Sequence, residues 1–303
     1  MLFEGVPRLV IQGVTGREGR MIVRHTLGYG TPVAAGVTPG KGGGAVEDVP
    51  VFDTVCEAAA ATGGSFDAAF VTVPPLTALN AVSEAVAAGV RLIVVSTENV
   101  PKHDALRLLA TADEAGATVI GPNSVGVIAP ARRVKIGAIG GHRPERAFVP
   151  GRIGVISRSG GMTSEAALQL KLAGLGVSTA VSIGGDGLIG STPADLVRRF
   201  VDDQETDAIV HIAEPGTELE HGLADAIEEL ELEKPVIVLV LGRFMEEFPR
   251  GAVFGHAGAV IDRRHDRPSE KIRRLAEAGA LTAETLEETI ALARSAVRVA
   301  EPL

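Results

Sequence analysis

Aromatic side chains are scarce in this chain: they make up 3% of its 303 residues, with no tryptophan and one tyrosine, Tyr29. A core of ordinary size must then be built from Val, Ile, Leu and Ala. The single cysteine, Cys56, excludes an intramolecular disulfide and a cysteine-rich zinc site, and no metal ligands are assigned. A net charge of −9 leaves no broad basic surface, so nucleic acid is not an expected partner. No apolar run approaches the roughly 20 residues that cross a bilayer. The opening MLFEGVPRLVIQG carries no basic segment ahead of a long apolar one, so it does not read as a signal peptide. The expectation is a soluble cytoplasmic protein without a membrane partner.

Hydrophobic residues are abundant at 46%, and there are 37 glycines. The length allows two domains, each with its own core. Short apolar runs alternate with helical patterns. Strands are expected at 8–14, 32–40, 68–75, 91–97 and 117–124, with helices between them. Continuously apolar strands in this alternation indicate a parallel sheet covered on both faces. Residues 1–128 therefore read as a Rossmann-like domain. The stretch 129–150 is rich in Pro, Gly and Arg and reads as a linker or extended crossing. The alternation resumes with strands at 152–161, 177–186, 207–216 and 235–243. Residues 151–303 read as a second, flavodoxin-like parallel α/β domain, closing on helix, short strand or loop, and helix.

IQGVTGREG places Gly13, Gly16 and Gly19 between the first strand and its helix, where backbone N–H groups bind phosphate. The spacing is not the G-x-G-x-x-G of dinucleotide sites. The second strand lacks the acidic residue that holds a ribose hydroxyl and is followed by Lys41. A ligand with an additional phosphate, such as coenzyme A, suits that arrangement better than NAD; the bland alternative is a tight turn with a surface lysine. Other strands end in Ser96-Thr97-Glu98, Gly121-Pro122-Asn123-Ser124, Ser157-Arg158-Ser159-Gly160-Gly161, Gly184-Gly185-Asp186 and Glu214-Pro215-Gly216. SRSGG stands just before a helix, where the dipole and free N–H groups favour an anion. In VFGHAGAVI, a strand-to-loop junction, His256 is flanked by Gly255, Ala257 and Gly258. It is either a buried structural histidine or an accessible nucleophile able to take and pass on a phosphoryl group. Glu214 is the candidate carboxylate to fix its tautomer.

These residues resemble a known family. QGVTGREG, YGTPVAAGVTPGKGG, VPVFDTV, STENVP, GPNSVGVI, KIG, GRIGVISRSGGMTSE, SIGGD and GHAGAVI, in this order over nearly the whole chain, are similar to the α subunit of succinate–CoA ligase and of the related malate–CoA ligase. The resemblance implies coenzyme A contacts from Thr15, Gly16, Arg17, Glu18, Lys41, Ser96, Thr97 and Glu98. It implies that His256 is phosphorylated, that Glu214 hydrogen-bonds it, and that Ser159 and Gly160 stabilise the phosphohistidine. It further implies that ATP or GTP with Mg²⁺ is bound mainly by a separate ATP-grasp β subunit, in an αβ or α2β2 assembly. The chain would then act only with that partner, on a small carboxylic acid.

The chain departs from the family pattern near the substrate. Ser164 stands where the succinate enzyme has a tyrosine, and Gly161 where it has a threonine. Asp262 to Pro268 replaces a small glycine-rich stretch, and Pro215 follows the glutamate where the family has an apolar residue, which stiffens that loop. The departures motivate two further readings. One is the same chemistry on another acid, such as malate or a specialised acid. The other is a CoA-binding regulatory homologue without phosphoryl transfer. An NAD-dependent oxidoreductase fits least well.

Overall fold

The computed structural model describes residue 2, residues 4–252 and residues 255–297. Val253 and Phe254 of the expected strand-to-loop junction lie outside the described residues. The first half runs β1 (Leu9–Gln12), α1 (Arg17–Tyr29), β2 (Val33–Val37), β3 (Ala45–Val46), β4 (Val49–Phe52), α2 (Val55–Ala61), β5 (Ala68–Val71), α3 (Ala78–Ala87), β6 (Leu92–Val95), α4 (Lys102–Glu114) and β7 (Thr118–Ile120). These strands form one sheet in the order β3-β4-β2-β1-β5-β6-β7. The β3–β4 hairpin is antiparallel and the other pairings are parallel.

The second half runs β8 (Gly126–Ala129), β9 (Val134–Ile136), β10 (Pro150–Ser157), α5 (Gly160–Leu172), β11 (Val177–Ser182), α6 (Pro193–Val201), β12 (Ala208–Ala213), α7 (Leu219–Leu230), β13 (Val236–Val240), α8 (Pro268–Glu277), β14 (Leu281–Ala283) and α9 (Leu286–Ala296). Its sheet has the order β14-β13-β12-β10-β11-β8-β9. The α/β architecture expected from the alternation is present in both halves.

The structure corrects two local expectations. Residues 129–150 are not simply a crossing: the last residue of β8 and all of β9 fall there, and the two strands add an antiparallel edge to the second sheet. Strands of three and four residues are too short to announce themselves among Pro, Gly and Arg. The expected strands are also longer than those formed. β1 stops at Gln12 because Gly13 adopts φ +85°, where a Cβ would run into the Thr72 carbonyl.

The central strands β1, β5, β6, β11, β12 and β13 are buried on both faces, as continuous apolar runs require. Leu9 and Ile11 of β1 join a cluster that includes Val127, Val134, Ile136, Ile156 and Val181 of the second half. Val10, facing the other way, packs with Val55, Ala81 and Leu108 from the helices. One core thus continues across both sheets. The helices carry their own start signals: Thr192 and Asp195 form a reciprocal capping box on α6, and Thr285 caps α9.

A fully buried group of charged and polar side chains ties four elements together. Lys271 of α8 donates to the Glu214 carbonyl at 2.9 Å, to the Gly216 carbonyl and to the Glu220 carboxylate of α7. His211 of β12 lies between the Ile156 carbonyl at 3.2 Å and Glu220 at 3.3 Å. Burial alone would push the Glu220 carboxyl up, but Lys271 and His211 hold it well below the usual carboxylate range. Removing one partner leaves the other charge unmatched in the interior. Lys271→Met is therefore expected to cost about 3–5 kcal/mol of stability, read from urea unfolding at neutral pH. A loss below about 1 kcal/mol, the level of a surface pair, would show that the group is not a structural tie.

Candidate active site

Ligands in open α/β sheets bind beyond the carboxyl ends of the strands. In the first sheet β1 lies between β2 and β5, so the chain departs in opposite directions from its end. The glycine loop starts there. Gly13 N–H donates to the Val37 carbonyl at 2.8 Å and Gly16 N–H to the Gly13 carbonyl at 3.2 Å. Gly19 must lack a side chain because a Cβ there would strike Gly13 and Val14. Gly16 caps α1 without any side-chain hydrogen bond, so the first N–H groups of the helix remain available to an anion.

Gly16, Arg17 and Glu18 are exposed on this end, and Thr15 is half-buried. Lys41 is exposed on the turn after β2, and Asp53 orders that turn by accepting the Lys41 and Gly42 N–H groups at 2.9 and 2.8 Å. Ser96 and Thr97 follow β6, and their hydroxyls donate to the Val71 and Val73 carbonyls at 3.2 and 2.9 Å. Glu98 is exposed beside them. The structure thus puts these sequence candidates at one edge of one sheet.

A largely apolar cavity of about 630 Å³ opens at the same edge. Gly13, Thr38, Asp53, Val73, Pro74 and Asn80 are among its walls, whereas Thr15 to Glu18, Lys41 and Ser96 to Glu98 do not line it. Gln12 also faces this cavity. Its Nε2 donates to the Ala81 carbonyl at 2.9 Å, while its Oε1 is buried without a partner among the described residues. The sequence reading missed this wall, because Gln12 and Asp53 stood in matching segments without a role of their own, Asn80 stood in none, and the three converge only through folding.

At the edge of the second sheet, His256 and Glu214 meet directly. His256 Nδ1 stands 2.9 and 2.8 Å from the two carboxylate oxygens of Glu214. A carboxylate only accepts, so the proton sits on Nδ1 and Nε2 keeps its lone pair. The imidazole is 34% exposed and the glutamate side chain 10%. Hydrogen bonding to Glu214 raises the His256 pKa above its ordinary value, against desolvation and the nearby Arg158 charge. The ring rests on Gly185, where a Cβ would overlap it.

The loop holding Glu214 is braced from below by Lys271 and from the side by residues 262–268. Gly216 N–H donates to the Asp266 carbonyl at 2.9 Å. Asp266 Oδ2 accepts the Asp262 and Arg263 N–H groups at 3.1 and 2.7 Å. Residues 262–268 are therefore a folded brace on the glutamate loop.

Ser159 caps α5 by accepting the Met162 N–H at 3.3 Å. A Cβ at Gly160 would meet Val125, whereas one at Gly161 would have room. Gly160 and Ser164 line a second cavity of about 400 Å³ with Val125, Gly140, His142 and Arg143. Arg158, buried to 1% exposure, was visible in the sequence only as part of a strand ending. Among the described residues, no group of three or more His, Cys, Asp or Glu is placed to hold a metal ion. No helix there is long and apolar enough to cross a membrane.

Comparison with known proteins agrees with the two-part α/β fold. The CoA binding domain family matches residues 7–99, and the succinyl-CoA ligase like flavodoxin domain family matches residues 150–296. The chain is 41% identical to the succinate–CoA ligase [ADP-forming] subunit alpha 2 of Archaeoglobus fulgidus, over 94% of this chain and 95% of that one. It is 40% identical to the malate–CoA ligase subunit alpha of Methylorubrum extorquens, over 87% and 86%. Among solved structures, ATP citrate lyase from Methanothrix soehngenii in complex with citrate and coenzyme A superposes with a TM-score of 0.87 at 24% identity. That match covers the whole of this chain and 53% of the other, and shows a shared fold.

The Glu214 contact makes a direct prediction. In an NMR titration, the His256 imidazole should show its midpoint above the ordinary value of 6.5, and Glu214→Gln should move the midpoint downward. An unchanged midpoint in the variant would mean that the carboxylate does not hold the ring in solution.

Proposed function

The chain belongs to the α-subunit family of succinate–CoA ligases, and from that premise we propose that it is the α subunit of an ADP- or GDP-forming acid–CoA ligase working through a phosphohistidine at His256. The observation that carries this reading is the Glu214 carboxylate gripping Nδ1 of a part-exposed imidazole. In the neutral ring the Nδ1 proton then leaves the lone pair on Nε2. In the first step Nε2 attacks the terminal phosphorus of a nucleoside triphosphate. A P–N bond forms as the P–O bond to the departing diphosphate breaks. The ring keeps its Nδ1 proton, and Glu214 balances the positive charge that develops on it. In the second step a carboxylate oxygen of the acid takes the phosphoryl group, returning the lone pair to Nε2 and giving an acyl phosphate. Thiolysis by coenzyme A then releases phosphate and the acyl thioester.

The residues at the first sheet's edge fit coenzyme A. The open α1 N-terminus with Thr15, Gly16, Arg17 and Glu18 suits its diphosphate, and Lys41 suits a further phosphate. The largely apolar cavity with the unpartnered Gln12 Oε1 suits a long chain bearing amide N–H groups. Ser96, Thr97 and Glu98 complete that edge. Coenzyme A supplies the thiol; the chain's task is to hold it near the second sheet. Ser159 and Gly160 present the α5 N-terminus to a phosphoryl group, and Gly161 and Ser164 leave space for the acid. ATP or GTP with Mg²⁺ is assigned to an ATP-grasp β subunit, in an αβ or α2β2 complex in the cytoplasm. Ser164, where the resemblance implies a tyrosine, motivates the alternative that the same chemistry runs on an acid other than succinate, such as malate or a specialised acid.

Two measurements test the reading. With its β partner, Mg²⁺ and labelled nucleotide, the chain should acquire acid-labile phosphate that His256→Ala abolishes. Glu214→Gln should slow the labelling by at least about 100-fold. A screen of acids for discharge of the label with coenzyme A then identifies the substrate. A folded complex that binds coenzyme A and takes no label would favour the regulatory reading instead. By calorimetry, Lys41→Ala should weaken coenzyme A by roughly tenfold and reduce the salt dependence of binding; an unaffected affinity would remove Lys41 from the site.

A further inference from the structure

Arg158 is among the largest fully buried side chains in the protein, yet its hydrogen bonding is incomplete. Nη2 donates to the Gly185 carbonyl at 3.1 Å and the Asp186 carbonyl at 3.2 Å. Nε and Nη1 are buried and have no partner among the described residues. A guanidinium does not deprotonate in a protein, so it is a permanent buried cation. Buried N–H groups of a cation that lack acceptors are strongly unfavourable unless something completes them.

Its surroundings point to what would complete it. The Gly185 carbonyl that takes Arg158 Nη2 also takes the Gly258 N–H at 3.2 Å, two residues beyond His256. Gly258 packs directly on the guanidinium, where a Cβ would collide with Nη2. The imidazole rests on Gly185 itself. Arg158 and the histidine loop therefore share one backbone support. Among the described residues, the carboxylates of Glu214 and Asp186 act on His256, and each has a hydrogen-bond partner. Glu214 holds His256 Nδ1, and Asp186 Oδ1 accepts from Asn123 Nδ2 at 2.9 Å.

We infer that Arg158 is the resident counter-charge of the phosphorylated histidine, its unpartnered Nε–H and Nη1–H groups reserved for the phosphoryl group that His256 carries. The inference rests on the phosphohistidine reading above. In the free protein these two N–H groups have no acceptor among the described residues, and transfer of the phosphoryl group to Nε2 brings about two negative charges beside them. The phosphorylated state is then stabilised relative to the free state, and the high-energy P–N bond is retained until the acid arrives. The role is electrostatic positioning of the transferred group; Glu214 keeps its own role on the other ring nitrogen.

The test uses the complex with the β partner, Mg²⁺ and mixtures of ATP and ADP, comparing wild type, Arg158→Gln and Arg158→Lys. The readouts are the equilibrium fraction of phosphohistidine at a fixed nucleotide ratio and the rise in melting temperature on phosphorylation. The expectation is that Arg158→Gln lowers the phosphorylation equilibrium constant at least tenfold and removes the thermal gain. Arg158→Lys, which restores the charge, should recover part of both, with coenzyme A affinity unchanged in each. A folded Arg158→Gln that reaches wild-type phosphorylation with the same thermal gain overturns the inference. So does a wild-type complex whose melting temperature fails to rise when labelled, which decides the matter even if no variant folds. Absence of label on the wild type sinks the phosphohistidine reading itself, and this inference with it. Label on the wild type with an indifferent Arg158 sinks this inference alone.

Discussion

The chemistry depends on how the backbone around Glu214 is held. A carboxylate at the end of a strand would ordinarily sway with its loop. Here the carbonyls of Glu214 and Gly216 both accept from the Lys271 ammonium, which is itself balanced by Glu220 and sealed from water. The ammonium has three protons and three acceptors, so its geometry leaves no slack. Gly216 N–H is fixed in turn by the Asp266 carbonyl. The Glu214 side chain thus projects from a clamped turn, and the imidazole it grips inherits that placement. Preorganisation of this kind lets a hydrogen bond act on developing charge without reorganising at the moment of reaction.

A buried ion pair is a poor way to gain stability for its own sake, since well-packed apolar residues of the same volume do as well or better. Its use here is better understood as directional. Leucine in place of Lys271 would fill space, but it would not hold two carbonyls in register with a carboxylate. His211 extends the same logic to β10. It lies between Glu220 and the Ile156 carbonyl, one residue before Ser157 and two before Arg158. The end of β10 and the end of β12, which deliver the two sides of the site, are thereby linked through one buried group.

The sequence revealed the parts that repeat or that stand in exposed turns. Alternating apolar runs foretold two α/β halves, and Gly13, Gly16 and Gly19 marked the first loop. His256 and Glu214 were legible because they sit in turns between apolar strands, and resemblance gave them roles. Lys271, Glu220 and Arg158 were not. In PSEKIRRLAE, Lys271 looks like any solvated charge on an amphipathic helix, and only packing of α7 against α8 buries it. Arg158 was passed over within a strand ending because sequence does not show that its guanidinium lacks an acid. β9 was hidden for a related reason: three residues of strand carry no periodicity of their own, and the partner that stabilises them, β8, meets it across a turn.

The two halves must also keep a fixed relation if a thioester is to be made from parts held at two sheets. The joint is the strand ending Gly121-Pro122-Asn123-Ser124. Ser124 Oγ donates to the Ser182 carbonyl at the end of β11, and Asn123 Nδ2 to Asp186. Gly184 approaches the Pro122 carbonyl so closely that a Cβ would not fit. Ser191 Oγ reaches the Val119 carbonyl at 2.8 Å, and Gly190 N–H the Gly121 carbonyl at 2.8 Å. Each contact runs from the end of the first sheet to the turn after β11, the turn on which His256 lies. Asp186, whose carboxylate takes Asn123, gives its backbone carbonyl to Arg158. A displacement at the edge of the first sheet would therefore be felt at the Gly185 support shared by Arg158 and the histidine loop. The continuous apolar core across both sheets resists such a displacement, since close-packed interiors transmit strain rather than absorb it.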